Sequence, residues 1–132
     1  DQVCASQAFD RASSALTTVG AYIATAENAK ACLSDIRFSA QHPDNFLAMQ
    51  LQALAVNSYV KGGDMTAARE ALGHFRHKFP QQDLVYDDFT SFLDTATAII
   101  EHTQLSPHQI ARLNINPTLK SELSRQQHWM MN

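Results

Sequence analysis

The chain has 132 residues, a formal charge of −3, 45% hydrophobic residues and 17% charged residues. Such a balance belongs to one folded domain rather than a disordered segment. Basic residues stand singly (Arg11, Lys30, Arg37, Lys61, Arg69, Arg76, Lys78), so nucleic acid is not an expected partner, and no apolar run approaches the ~20 residues of a membrane helix.

In chain order, the first apolar stripe is Phe9, Ala12, Leu16, Val19, Ile23, Ala26, Ala29, Leu33 and Ile36. Its steps of three and four mark amphipathic helix. Thr17-Thr18-Val19-Gly20 is its weakest stretch, with β-branched residues followed by a glycine suited to a left-handed cap. Two antiparallel helices are expected, at 3–17 and 21–39, the second closed by His42-Pro43. The cysteines support that break, because residue 18 is midway between Cys4 and Cys32. In one straight helix the pair would stand about 42 Å apart, whereas a disulfide needs Cα atoms within about 7 Å. Bond and turn therefore stand or fall together; the alternative is two unrelated buried thiols.

Asp44 is placed to cap a third helix carrying Leu47, Leu51, Leu54 and Tyr59, which Gly62-Gly63 ends. Asp64 caps a fourth, with stripe Met65, Ala68, Leu72, Phe75 and Phe79 and a stop at Pro80. A fifth is expected to start at Asp83 and carry Val85, Phe89, Phe92, Ala96 and Ile99, with Asp87 and Asp88 favourably placed in its first turn. Ser106-Pro107 opens a short helix through Leu113, and Asn116-Pro117 opens a last one with Leu119, Leu123 and Trp129. Four glycines and four prolines are too few for an all-β sandwich, and no segment alternates at period two. The expected fold is all-α, with six to seven helices in antiparallel hairpins. It is read as a single domain over 1–132, divided into a hairpin at 3–39, a central pair at 44–82 and C-terminal helices at 83–131.

The stretch 49–82 resembles a tetratricopeptide repeat, a helix–turn–helix unit of 34 residues. The resemblance runs through Tyr59, Gly63-Asp64, Ala68, Leu72, Phe75 and Pro80. It implies that Tyr59 wedges between the two helices, that Ala68 lets them approach closely, and that the flanking helices cover the faces a lone unit leaves open. The sequence departs from the family at Gln52, where an aromatic is usual, at Val56, where a small residue is usual, and at Phe75, where Ala is usual. The fold is then either a right-handed superhelix or a compact helical bundle. The resemblance also implies a concave face, lined here by Gln50, Ala53, Asn57, Val60 and Lys61, that receives a protein or peptide partner. Some family members clamp a terminal carboxylate with Asn and Lys. Asn57 matches, but Ala53 stands where the Lys would be, so no such clamp is inferred.

Other constellations carry less. His74 and His77 share one helix face but lack a third ligand, and with Arg76 and Lys78 they read as a solvated basic face. His102 and His108 flank a turn and read as surface residues. Neighbouring Asp87 and Asp88 point about 100° apart on a helix, which does not suit a shared acid–base site. No phosphate loop, nucleophile elbow or zinc motif is present, so neither a cofactor nor a metal nor an enzymatic activity is implied. Leu119, Leu123, Trp129, Met130 and Met131 form core if the last helix packs back, and a docking surface if it protrudes.

The chain begins at Asp1 without Met, which fits a trimmed chain or one whose leader has been removed. Asp1-Gln2 is not the small, apolar lead that lipid attachment at Cys4 requires. Few Lys, many Gln, Ser and Thr, and two cysteines favour export to the periplasm, with the cytoplasm as the alternative. The expected function is a non-enzymatic adaptor, such as a pilot or assembly factor of a pilus or secretion system. The alternatives are a cytosolic chaperone of a secreted substrate with reduced thiols, and an enzyme without a recognisable motif.

Overall fold

Alanine and leucine at helical spacing, interrupted by hydroxyl and Asx caps, yield helices and, among the described residues, no sheet. The computed structural model describes residues 2–14, 18–34 and 45–131. Among these are seven α-helices: α1 (Gln2–Ser13), α2 (Val19–Ser34), α3 (Asn45–Lys61), α4 (Met65–Lys78), α5 (Phe92–Glu101), α6 (Pro107–Ala111) and α7 (Pro117–Met131). A 3-10 turn, His102–Gln104, follows α5. The chain forms two compact units, Asp1–Gln82 and Asp83–Asn132. No helix among the described residues is long and apolar enough to cross a membrane.

In the first unit, α1 and α2 form the expected hairpin, and Cys4 is bonded to Cys32 with Cα atoms 5.7 Å apart. The hairpin breaks earlier than its glycine suggested. At the end of α1 the Ser13 hydroxyl donates to the Asp10 carbonyl and the Ser14 hydroxyl to the Arg11 carbonyl. Such local bonds compete with continued helix. The Thr18 hydroxyl accepts from the Ala21 amide at 3.1 Å, capping α2. Gly20 consequently lies inside the first turn of α2 and does not take the left-handed conformation expected of it. Val19 is exposed rather than part of the stripe, and Ala5, Ala8, Ala26 and Ala29 supply fully buried small contacts. Leu16, Thr17, Ile36, the closure at His42-Pro43 and the cap at Asp44 lie outside the described residues.

α3 is buried on nearly every side, as a helix with neighbours on several faces must be; it packs against α1, α2 and α4. Leu51, Val56 and Tyr59 are all buried, and Leu47 and Leu54 are half-buried. The turn after α3 follows from its glycines. Gly63 has φ +79°, a conformation in which only glycine avoids strain. A Cβ on Gly62 would sit 2.5 Å from Cδ1 of Ile23, so the start of α2 closes on the end of α3 there. Asp64 then accepts from the Ala67 amide at 3.0 Å and starts α4. Ala68, Leu72, Phe75 and Phe79 are buried as the stripe required, the two phenylalanine rings lying 5.2 Å apart. Met65 is an exception, partly exposed in the first turn.

The second unit corrects the expected fifth helix. Residues 83–91 are a looped segment with one isolated bridge, Val85 to Ser91, and α5 begins only at Phe92. The cause is local side-chain chemistry. The Asp83 carboxylate accepts from the amides of Leu84 at 2.7 Å and Leu93 at 2.9 Å, and from the Ser91 hydroxyl. Asp88 accepts from both the amide and the hydroxyl of Thr90. Val85 and Phe89 are therefore solvent-exposed, not core, and Asp87 and Asp88 sit in a turn rather than at a helix start. Ser91 is the true N-cap, accepting from Asp94.

The later caps form as read. Ser106 and Gln109 make a reciprocal capping box with Pro107 at the first position, although α6 stops at Ala111. Asn116 Oδ1 accepts from Thr118 at 2.8 Å to open α7. Ala98, Ile110, Ile115 and Leu123 form a core cluster, against which Leu105, Leu113 and Leu119 pack. The first half of α7 thus packs back, while Trp129 near its end is 77% exposed. The side chains of Met130 and Met131 lie outside the described ones.

Candidate functional site

α3 presents two opposite faces, and they differ. At 100° per residue, Gln50, Ala53, Asn57, Val60 and Lys61 share an arc of about 100°, as the expected concave face requires. Their environments are unequal: Ala53 is buried at 6% exposure, Gln50, Asn57 and Val60 are half-buried, and Lys61 is exposed. The Lys61 ammonium lies 5.9 Å from the centre of the Tyr22 ring, within reach of a cation–π contact.

The opposite face forms the floor of a cleft of about 220 Å³. Gln52, Ala55 and Tyr59 line it from α3, Lys30, Leu33 and Ser34 from α2, and Ala67, Glu70, Ala71, His74 and Lys78 from α4. Its origin is steric. Ala55, Ala67 and Ala71 line the cleft where larger residues would have closed the gap. Charged and titratable groups collect at its sides, with Lys30, His74 and Lys78 set against the single carboxylate of Glu70. An apolar concavity with a few polar groups has the general form of a binding site.

Two buried polar groups mark the floor. Gln52 Nε2 donates to the Ala71 carbonyl at 3.0 Å, tying α3 to α4. The Gln52 Oε1 atom is buried without a hydrogen-bond partner. An unsatisfied buried acceptor costs on the order of 1–3 kcal/mol. Gln52→Met, which keeps the volume and removes the acceptor, is therefore expected to raise unfolding stability by roughly 1 kcal/mol. Urea denaturation checks it, and a loss of stability would mean that the bond to Ala71 outweighs the orphaned oxygen. Tyr59 is the second group. Burial first, then its hydrogen bond to Glu27 and the carboxylates of Glu27, Asp64 and Glu70, push its pKa from 10.0 up to about 12. It stays a neutral donor.

Elsewhere, the chemistry-bearing residues described do not assemble. His74 is on the cleft side while His77 is simply exposed. His108 is exposed, and His102 Nδ1 lies 3.1 Å from the Ile99 carbonyl at the end of α5. Hydrogen bonds from Thr90 hold the Asp88 carboxyl below its ordinary pKa. Among the described residues no three His, Cys, Asp or Glu side chains are grouped as a metal would need.

The repeat resemblance points to the face of α3 opposite the cleft, and no motif in the sequence points to the cleft itself. A signal was present. Ala67 and Ala71 stand one turn apart on α4, and Gln52 stands where the repeat resemblance implies an aromatic; together they mark a place where bulk is missing. No protein-family model, curated protein or solved structure matches this chain.

Proposed function

We propose that this chain is a non-enzymatic adaptor of an oxidising compartment, which holds an apolar segment of a partner protein in the α2–α3–α4 cleft. The observation that carries the reading is the cleft itself, with an apolar lining around two buried polar groups and basic groups at its sides. The Cys4–Cys32 bond supports the compartment, because such bonds persist where thiols are not kept reduced. In this reading α3 and α4 act as one tetratricopeptide-like unit. Gly63 at φ +79°, the Asp64 cap and the buried Tyr59, Ala68, Leu72 and Phe75 favour it. The partner sits on the side of α3 away from Asn57 and Lys61, unlike the arrangement the repeat family implies. A pilot or assembly factor for an exported machine fits these properties: small, helical, disulfide-bonded and built to bind.

Two measurements test it. Ala67→Arg places a long charged side chain at the edge of the cleft and is expected to abolish recovery of the partner from the source organism. Asn57→Ala and Lys61→Glu, on the opposite face, should leave recovery unchanged; the reverse pattern returns the site to the expected concave face. Alkylation of native protein without reductant should add no mass, and two labelled thiols would favour a reduced cytosolic chaperone instead.

A further inference from the structure

The looped segment of the second unit carries an exposed aromatic in a strained conformation. Phe89 has φ +67°, the left-handed region that a bulky residue rarely adopts and where Asn or Gly would be at ease. Phe89 is 81% exposed, the highest value among the large hydrophobic residues described, so packing does not account for the strain. Val85, 65% exposed, and the partly exposed Tyr86 lie in the same segment.

The segment is nevertheless firmly held. The Phe89 amide donates to the Tyr86 carbonyl at 2.8 Å and the Tyr86 amide to the Thr90 carbonyl at 2.9 Å. The Asn114 side chain donates to the Phe89 carbonyl at 2.9 Å, while the Asn114 amide is itself held by Asp94 at 2.8 Å. Polar groups thus fix the backbone in a shape whose result is to present Phe89 to solvent. A strained residue that the surroundings over-determine points to function, and a rigid exposed aromatic is the usual anchor of a protein interface.

The charge around it selects the partner. From Phe79 to Ala111 the chain has five carboxylates (Asp83, Asp87, Asp88, Asp94, Glu101) and no Lys or Arg. Asp87 and Asp88 immediately precede Phe89. Such a tip is repelled by anionic lipid and complements an apolar surface flanked by cations.

We propose that the Val85–Tyr86–Phe89 tip is a second docking element, which binds an apolar protein segment bordered by Lys or Arg. It uses no residue of the α2–α3–α4 cleft, so it stands or falls apart from the function proposed above.

The test uses the full chain and a designed 14-residue amphipathic peptide of Leu and Lys. Its Leu/Glu counterpart and vesicles of phosphatidylcholine with one quarter phosphatidylglycerol serve as rival probes. The Leu/Lys peptide should shift the NMR amide signals of residues 85–90, with an affinity at least tenfold weaker for Phe89→Asn and several-fold weaker for Asp87→Lys. Thermal unfolding of Phe89→Asn should hold or rise by roughly 2 °C, because the strain is relieved. Unaltered affinity in Phe89→Asn, shifts confined to the cleft, equal binding of the Leu/Glu peptide, or capture by the vesicles would each overturn the proposal. A fall in melting temperature for Phe89→Asn would also overturn it, by making the ring a structural support.

Discussion

Replacing both cysteines, as Cys4→Ser with Cys32→Ser, is expected to lower unfolding stability by roughly 3–4 kcal/mol, the chain-entropy value for a loop of this length. The bond joins residues 28 apart in sequence, and it acts on an element with little holding of its own. α1 has 12 residues, too few for a stable isolated helix. Among its described side chains the fully buried ones are Ala5 and Ala8, whose methyl groups contribute about 0.8 kcal/mol each. Phe9 and Ala12 are only half-buried. Without the bond, hydrogen exchange along α1 should accelerate far more than along α3, which α2 and α4 also hold. Dithiothreitol added to the native protein should reproduce both effects. If reduction leaves the urea midpoint and the α1 exchange unchanged, then α1 is docked by its packing alone and the disulfide is incidental to the fold.

Much of this fold was legible because its signals are local or close to it. Asp64, Ser106-Pro107 and Asn116-Pro117 open helices where their side chains reach the next free amides, and that needs only three residues of context. The disulfide was legible from symmetry about a turn. The segment 83–91 was not. Val85, Phe89 and Phe92 have the spacing of a helix face, yet the segment is shaped by bonds no periodicity reports. Asn114 reaches back 25 residues to Phe89, and the Ser91 amide donates to the Asn114 carbonyl at 2.9 Å. What the sequence did offer was a density of Asp, Thr and Ser between 83 and 91 that competes with helix. The cleft was illegible for a different reason. Helical periodicity says which residues of α3 face inward, but α3 is buried on both faces, and only the alanines of a neighbouring helix decide which face stays open.

Tyr59 joins stability to that site, and its substitutions separate the two. Tyr59→Ala is expected to cost about 3–5 kcal/mol, as for other large buried aromatics, because the ring lies at the base of the α2–α3–α4 cleft with almost no exposure. A neutral result would remove the wedge role implied by the repeat resemblance. Tyr59→Phe keeps the ring and loses only the hydroxyl and its bond to Glu27, for about 1 kcal/mol at neutral pH. The pH dependence of that difference has a definite sign. With a pKa pushed up to about 12, the folded chain keeps the Tyr59 proton where the unfolded chain, with the ordinary value of 10.0, has lost it. Above pH 10 the unfolded state therefore binds fewer protons, and stability falls as pH rises towards 12. The advantage of the wild type over Tyr59→Phe should shrink across that window and then reverse, whereas ionisation of the other tyrosines and the lysines affects both proteins alike. Urea midpoints of the two proteins at pH 7, 9, 10.5 and 11.5 measure it. A difference that stays constant to the top of the range would place the Tyr59 hydroxyl in water, and the cleft would then lose its buried polar floor.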